Sequence, residues 1–161
     1  MIIIRKVVKK DIPTVKQLLL ETWIDTYRLI LPEYVISKLT SVWHDPKRLE
    51  AEANNENIIF QVAVDNGEII GLITITKSDG DTADLLRLYV HPDRQRRGIG
   101  KILLEQSLAE LRQYKKLRVE VEEDNEKGKG FYNKYGFKEV GKKVENLENV
   151  EIKTIIMEKE L

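Results

Sequence analysis

The sequence predicts an α/β (α+β) fold in which a mixed, mostly antiparallel sheet of about seven strands is flanked by helices. Three observations support this prediction. Short β-rich runs alternate with amphipathic helical runs along the whole chain. Asn66-Gly67 joins two β-rich runs, which is a strong hairpin signal. A helical run also separates the β-rich runs 85–90 and 117–121, which predicts a crossover connection and places both strands in one sheet.

The N-terminal part of the chain predicts one strand and then three helices. Residues 2–8 form a short β-rich run. Asp11 is a favourable helix N-cap, and Pro13 lies in the first turn of the helix that follows. Pro32 opens a second short helix, and Asp45 opens a third.

The rest of the chain predicts six strands and two helices. Asn125 precedes the second of these helices as an N-cap, and Gly136 follows its end. The predicted strands are 58–64, 69–75, 85–90, 117–121, 137–144 and 151–158, and the predicted helices are 98–114 and 125–135.

Length and composition limit the kinds of protein to consider. A chain of 161 residues without a linker or repeat predicts a single domain, 1–161. Lys plus Arg and Asp plus Glu are equal at 27 each, so we expect no general attraction to nucleic acid or to an anionic membrane. The chain has no cysteine and only two histidines, which excludes a thiolate site and predicts no metal site. No run is as apolar as a membrane span, and we expect a cytoplasmic protein.

A basic loop with two glycines lies between the predicted strand 85–90 and the helix after it. Its sequence is Gln95-Arg96-Arg97-Gly98-Ile99-Gly100. The first N–H groups of a helix are unpaired and carry partial positive charge, and Arg94, Arg96 and Arg97 add full charges. This combination predicts a phosphate or pyrophosphate site. A solvated basic loop with two turn glycines is the alternative.

Two familiar phosphate-binding motifs fit this loop less well. The nucleoside-triphosphate loop requires Ser or Thr after Gly100-Lys101, and Ile102 stands there. The dinucleotide fingerprint requires a third glycine at position 103, which is Leu103.

Two separate blocks of the sequence resemble the GNAT superfamily of N-acetyltransferases. Residues 95–100 match its Q/R-x-x-G-x-G/A signature. Val119-Glu120-Val121, Asn125 and residues 131–137 resemble its L-E-V … N-x-x-A-x-x-F-Y-x-x-x-G-F block, with Gly128 in place of the usual Ala. The resemblance implies direct transfer of an acetyl group from acetyl-CoA to a primary amine, with CoA as product. It also implies a bulge that splays two central parallel strands at the cofactor site.

The same resemblance implies a set of cofactor contacts. The backbone of residues 88–90 would pair with the pantetheine arm, and the N–H groups of residues 96–101 would hold the pyrophosphate. Asn125 would contact the arm, a role compatible with capping its helix. The implied cofactor residues are Leu88, Tyr89, Val90, Gln95, Arg96, Arg97, Gly98, Ile99, Gly100, Lys101, Asn125 and Tyr132.

The resemblance also implies catalytic residues. Tyr132 matches the family tyrosine that is proposed to protonate the departing thiolate, with simple core packing as the alternative. An alkyl ammonium has a pKa of about 10.4, so only about one molecule in a thousand is neutral at pH 7 and a base would help. Glu120 and Asp84 match positions that carry the base in ribosomal-protein and histone-type members. A solvated strand face or a water chain remains open for both.

The acceptor amine is indicated only by a short stretch. Residues 23–34 contain W-I-D-T-Y and L-P-E-Y, which resemble polyamine acetyltransferase-like (PaiA-type) members of the family. Trp23 and Tyr27 would bind a small-molecule amine through cation–π contacts, with helix packing as the alternative. A protein N-terminal or lysine acetyltransferase and a non-catalytic acetyl-CoA-binding module stay open. A homodimer also stays open, since family members often form dimers.

Overall fold

The computed structural model describes residues 1–161 and contains seven β-strands and five α-helices. The strands are β1 (Ile2–Lys6), β2 (Ile58–Asp65), β3 (Glu68–Thr76), β4 (Thr82–Val90), β5 (Lys116–Glu122), β6 (Lys138–Leu147) and β7 (Val150–Glu160). The helices are α1 (Ile12–Tyr27), α2 (Glu33–Trp43), α3 (Pro46–Ala53), α4 (Ile99–Leu108) and α5 (Glu126–Lys134).

All seven strands belong to one sheet in the order β1-β2-β3-β4-β5-β7-β6. Every neighbouring pair is antiparallel except β4 and β5, which are parallel and are connected by α4. The predicted mixed, mostly antiparallel sheet with a parallel pair is therefore confirmed.

Helices cover both faces of the sheet. Leu103 and Leu104 of α4 pack with Ile73 and Val119 on one face, where Phe131 of α5 also contacts the cluster. On the other face, α1 and α3 pack over β2 and β3, while α1 and α2 form a smaller cluster that includes Ile152 of β7. Each fully buried aliphatic side chain contributes about 1.5–3 kcal/mol to the stability of the fold. The helices on both faces therefore stabilise the sheet.

The hairpin between β2 and β3 forms where Asn66-Gly67 predicted it. Both residues have positive φ, 50° for Asn66 and 82° for Gly67, as a type I′ turn requires. A second hairpin joins β6 and β7 through Glu148 and Asn149, which have φ values of 50° and 64°. This second turn contains no glycine, so the sequence pattern did not locate it. β6 and β7 are therefore longer than the predicted strands 137–144 and 151–158.

Asp11 occupies the N-cap position of α1, as predicted, but its carboxylate makes no bond to that helix. Instead it accepts hydrogen bonds from Arg5 Nη1 at 2.7 Å, Arg5 Nη2 at 3.0 Å and the Val8 N–H at 2.9 Å. The Arg5 guanidinium holds the pKa of the Asp11 carboxyl below its usual range. Asp11 thus ties β1 to the start of α1.

The predicted helix 98–114 is too long. α4 ends at Leu108, and the chain continues in turns to residue 115. Leu111 is buried at 1% exposure, and the Tyr114 hydroxyl donates to the Ser78 carbonyl at 2.8 Å. Leu111 continues the apolar spacing of the helix, which is why the sequence pattern extends past the true end.

Candidate active site

A gap opens in the middle of the sheet between β4 and β5. The two strands pair only from Thr82 opposite Lys116 to Leu85 opposite Val119. β4 continues to Val90 paired with β3, and β5 continues to Glu122 paired with β7. Beyond Leu85 and Val119 the facing edges of β4 and β5 do not pair with each other, so an extended ligand can pair with their backbone groups.

A bulge in β4 begins at the same point. Ile75 pairs with Leu85 and Thr74 pairs with Arg87. Leu86 is therefore an extra residue, which reverses the alternation of side chains along the strand. Leu85 before the bulge and Leu88 after it both pack on the α4 face, so Tyr89 shares the opposite face with Asp84. The bulge is what turns the Tyr89 side chain toward α1.

Two cavities meet at this gap. The loop-side cavity, of about 500 Å³, is lined by the 94–101 loop, the end of β4 and α5. The aromatic cavity, of about 480 Å³, is lined by α1, α2, the faces of β4 and β5, and the β6–β7 hairpin. The residues that line both are Tyr27, Leu86, Tyr89, Glu120 and Glu122. A group bound in one cavity can therefore reach a group bound in the other.

The loop before α4 has the backbone of an anion site. Gly98 is the N-cap of α4 with φ of 78°, and no side chain caps the helix there. Arg96 also has positive φ, 64°, so left-handed residues occur twice within three positions. Successive backbone N–H groups in such conformations, together with the free N–H groups of a helix start, form a concave site for phosphate.

Gly100 lets α4 and α5 approach closely beside this loop. A Cβ atom added at Gly100 would lie 3.2 Å from Cε2 of Phe131, which is tighter than ordinary contact. The second glycine of the signature therefore has a packing role, whereas Gly98 has a conformational one.

The basic side chains of the loop do not all face the loop-side cavity freely. Arg94 pairs with Asp65 at 3.1 Å and with Glu68 at 2.9 Å, which attaches the loop to the β2–β3 hairpin and neutralises its charge. Arg96 and Lys101 line the cavity, while Arg97 is exposed and does not. The sequence assigned the positive charge of this site to Arg94, Arg96 and Arg97. In the structure Arg94 is neutralised, and Lys101 supplies part of the charge.

Gln95 and Ile99 support the loop from within. The Gln95 side chain donates to the Val90 carbonyl at 3.0 Å and accepts from Lys127. The Ile99 side chain is buried at 4% exposure in the core. Both residues line the cavity, and both also fix the position of the loop against β4.

Asn125 lines the loop-side cavity and also caps α5. Its Oδ1 accepts from the Gly128 N–H at 2.9 Å. A Cβ atom added at Gly128 would lie only 2.7 Å from Asn125 Nδ2, so the glycine makes room for this cap. The departure from the family alanine at position 128 has a physical reason here.

Tyr132 projects from α5 into the loop-side cavity. Its ring packs edge-to-face on Phe131 and Phe137, at centroid distances of 5.3 and 5.1 Å. Burial raises the pKa of its phenol, and the nearby Tyr89 and Glu122 raise that pKa further. The hydroxyl therefore stays protonated at neutral pH and is available as a donor.

Three carboxylates share one face of the sheet at the gap. Glu120 is exposed and pairs with Lys143 Nζ at 2.8 Å. Asp84 is half-buried, and burial raises the pKa of its carboxyl against the opposing effect of Arg118. Glu122 is half-buried as well, lines both cavities, and has a pKa that burial raises. Glu122 lies two residues from Glu120 on β5 and so faces the same way, but nothing in the sequence showed that it lies at the junction.

The aromatic cavity has a wall of stacked rings. Trp23 contacts Tyr27 at 4.5 Å, His44 at 5.4 Å and Trp43 at 5.8 Å between ring centroids. Trp23 and Tyr27 are each only 5% exposed, so they pack in the core and line the cavity at the same time. Trp43 and His44 were not predicted, because helical spacing alone does not show where α2 ends against the sheet.

His44, which lines the aromatic cavity, is uncharged. Burial lowers the pKa of His44 to about 3, and the charges of Arg87, Lys16 and Arg48 act in the same direction. Arg87 itself is held by Glu52 at 2.6 Å. The imidazole is therefore neutral at physiological pH.

No helix combines the length and apolar character needed to cross a membrane. No group of three or more His, Asp or Glu side chains is placed to hold a metal ion.

Comparisons with known proteins agree with this geometry. The model of the "Acetyltransferase (GNAT) family" matches residues 21–137. The chain is 32% identical to a spermidine N(1)-acetyltransferase of Thermoplasma acidophilum over 141 residues, 84% of this chain and 87% of that protein. A crystal structure of the PaiA N-acetyltransferase of the same organism, in complex with coenzyme A, superposes with a TM-score of 0.86 at 30% identity, covering 100% of this chain and 99% of that one. The ribosomal-protein-S18-alanine N-acetyltransferase of Escherichia coli shares the fold, with a TM-score of 0.75 at 22% identity over 99% of this chain and 94% of that one.

Proposed function

We propose that this chain, which belongs to the GNAT family of acetyltransferases, moves an acetyl group from acetyl-CoA directly to a primary amine of a small molecule, with polyamines as the leading acceptor class. The enzyme class predicted from the two sequence blocks is confirmed by this membership. The observation that carries the proposal for the site is the meeting of the two cavities at the gap between β4 and β5. One cavity suits the cofactor, the other suits an amine, and the reacting atoms would meet between them.

The loop-side cavity suits acetyl-CoA in three respects. The unpaired edge of β4 at residues 88–90 can hydrogen-bond the pantetheine arm as an added strand. The N–H groups of residues 96–101 can hold the pyrophosphate at the start of α4. Asn125 can contact the arm near the gap. When bound there, acetyl-CoA supplies an activated acetyl thioester, and the chain supplies orientation and proton transfer.

Tyr132 acts as the general acid in this proposal. Its protonated phenol lies in the loop-side cavity beside the gap, where a thiolate would depart. A phenol with a raised pKa donates only as the sulfur gains charge, so proton transfer would be coupled to bond cleavage. The predicted bases Glu120 and Asp84 both line the aromatic cavity, from which the amine would approach.

The aromatic cavity suits a small cationic acceptor. Its lining includes five acidic and three basic side chains, so it has an excess of negative charge. The rings of Trp23, Tyr27 and Trp43 can contact an alkyl ammonium through their faces. The name of the Thermoplasma relative, a spermidine acetyltransferase, supports polyamines as the first acceptors to test.

The test is the release of free CoA thiol from acetyl-CoA with a panel of amines. The panel contains spermidine, spermine, several amino acids and a peptide with a free N-terminus. The proposal expects release with the polyamines and little with the peptide. Release with the peptide alone would assign the enzyme to protein acetylation, and binding of acetyl-CoA without turnover of any amine would contradict the proposed acceptor class.

A further inference from the structure

We propose that Glu122, rather than Glu120 or Asp84, takes the proton from the acceptor ammonium. The inference rests on the proposed function, since it concerns the deprotonation of the amine at the same site. It assigns the general base to a residue that the sequence motif does not mark.

The position of Glu122 is the first argument. It is the last residue of β5, beyond the end of the pairing with β4, and lies opposite Thr154 of β7. Its side chain lines both the loop-side cavity and the aromatic cavity. An amine that entered from the aromatic cavity would pass this carboxylate as it reached the gap.

The surroundings of Glu122 are the second argument. The titratable groups that face it are Tyr27 of α1, Tyr89 of β4, Tyr132 of α5 and Glu120 on its own strand. Tyr27 and Tyr89 line both cavities together with Glu122, and Asn125 lines the loop-side cavity. Glu122 therefore belongs to a polar cluster that extends from α1 through the gap to α5.

The balance of effects on Glu122 suits a base. Burial raises the pKa of its carboxyl and Glu120 adds to this, while Tyr27 and Asn125 act against it. A carboxylate with a raised pKa holds a proton more tightly than an exposed one, and so accepts it from an ammonium more readily.

The other two carboxylates are less well placed. Glu120 also lines both cavities, but it is exposed, and the ammonium of Lys143 holds it at 2.8 Å. Lys143 also pairs with Glu145, so its charge bridges two carboxylates at the rim. Asp84 lies in the paired part of β4 and lines only the aromatic cavity, farther from the loop-side cavity where Tyr132 lies.

The protons can be followed through the proposed step. The ammonium nitrogen gives one proton to the ionised Glu122 carboxylate. The nitrogen lone pair then forms the new C–N bond as the C–S bond breaks, and Tyr132 gives its proton to the sulfur. The second proton of the nitrogen restores the Tyr132 phenol, and Glu122 releases its proton to solvent.

The experiment compares Glu122→Gln with the matched control Glu123→Gln, at the next residue along the chain, which lines neither cavity. With spermidine as acceptor, we expect Glu122→Gln to lower kcat/KM about 10²- to 10⁴-fold at pH 7. The deficit should shrink as the pH approaches about 10, because the free amine no longer needs a base. Glu123→Gln should stay within about threefold of wild type across the same pH range, since its surface ion pair with Lys142 contributes about 1 kcal/mol or less.

A readout independent of turnover accompanies the kinetics. In protein labelled with ¹³C at the glutamate carboxyl, the resonance that Glu122→Gln removes should titrate above the ordinary range of glutamate. Because the folded protein binds this proton more tightly than the unfolded chain, ionisation of Glu122 weakens the fold as the pH rises through its pKa. Glu122→Gln should therefore unfold at the same or a higher temperature than wild type at pH 8, and should bind CoA normally.

The outcomes separate the inference from the proposed function. The inference alone would be overturned if Glu120→Gln or Asp84→Asn lost activity while Glu122→Gln stayed active, and if the Glu122 carboxyl of the wild type titrated in the ordinary range of glutamate. Wild-type protein that turned over no amine would instead overturn the proposed acceptor class. In that event the carboxyl titration would still decide whether Glu122 has the surroundings that the inference requires.

Discussion

The two cavities are built in different ways from the same sheet. The largest continuous part of the loop-side cavity lining is one segment, residues 88–101, and the binding groups of that segment are largely backbone N–H and C=O groups. The aromatic cavity is assembled from side chains of α1, α2, β4, β5 and the β6–β7 hairpin, which lie far apart in the sequence. Backbone groups suit a ligand that stays the same throughout a family, whereas side chains suit a ligand that differs between members.

The charges of the two cavities differ as well. Five basic and two acidic side chains line the loop-side cavity, whereas five acidic and three basic ones line the aromatic cavity. The formal net charge of the chain is zero, so the composition hides this separation. A polyanionic cofactor and a cationic amine would each meet the opposite sign.

The largest expected effect lies where the cavities meet. Tyr132→Phe should lower kcat about 10²- to 10⁴-fold, because the ring still packs on Phe131 and Phe137 while the donor is lost. The affinity for CoA, measured by calorimetry, should change little. Tyr135→Phe, at the C-cap of the same helix, is the matched control and should keep near-normal kcat. Equal activity of Tyr132→Phe and wild type would remove the general acid from the account.

A change in the loop should affect the cofactor alone. Gly98→Ala places a side chain at φ of 78°, which costs about 1–2 kcal/mol, and the backbone should relax away from its anion-binding conformation. We expect the affinity for CoA to fall about tenfold while the KM for spermidine is unchanged. Gly130→Ala, where an added Cβ meets nothing within 4 Å, is the control and should bind CoA normally. A raised KM for spermidine with normal CoA binding would contradict the division between the two cavities.

A change in the rings that line the aromatic cavity should affect the amine and leave CoA binding unchanged. Trp43→Ala removes the edge-to-face contact with Trp23, and such aromatic contacts contribute about 0.5–1.5 kcal/mol. The KM for spermidine should rise up to about tenfold, and the affinity for CoA should stay the same. Steady-state kinetics and calorimetry together test both halves of this expectation. Weaker CoA binding in this variant would show that the wall supports the loop-side cavity instead.

The smallest effect is expected at Lys143, which pairs with two carboxylates that line the aromatic cavity. Lys143→Met frees Glu120 and Glu145 from the bridging ammonium, so a polyamine could pair with them. The KM for spermidine should fall about twofold to threefold at low salt, since exposed ion pairs contribute about 1 kcal/mol or less. High salt should abolish the difference. A KM that rose instead would show that Lys143 helps to form the cavity.

The loop-side cavity was largely predictable because its information is local. The two glycines, the strand before them and the helix after them lie within one stretch of sequence, and Asn125 and Tyr132 follow in a second block. Details that depend on tertiary contacts were not predictable. The sequence does not show that Arg94 is neutralised by Asp65, or that Gly128 makes room for the side chain of Asn125.

The aromatic cavity was predictable only in part. Trp23 and Tyr27 were identified from a short resemblance, but the roles of Trp43 and His44 depend on how α2 packs against the sheet. The bulge at Leu86 was implied by the family resemblance but has no residue signal of its own, and it decides that Tyr89 faces α1. Glu122 was visible as a neighbour of Glu120 on one strand face, and only the end of β4–β5 pairing brings it to the gap.

The most direct test of the account is the affinity of a conjugate that joins spermidine to CoA through the sulfur. If the two cavities form one continuous site, calorimetry should give a dissociation constant at least about a hundredfold below that of CoA alone, because the second group binds without a separate loss of free motion. Trp43→Ala should reduce that gain without changing CoA binding. A conjugate that bound no better than CoA would contradict the claim that an amine in the aromatic cavity meets the thioester at the gap.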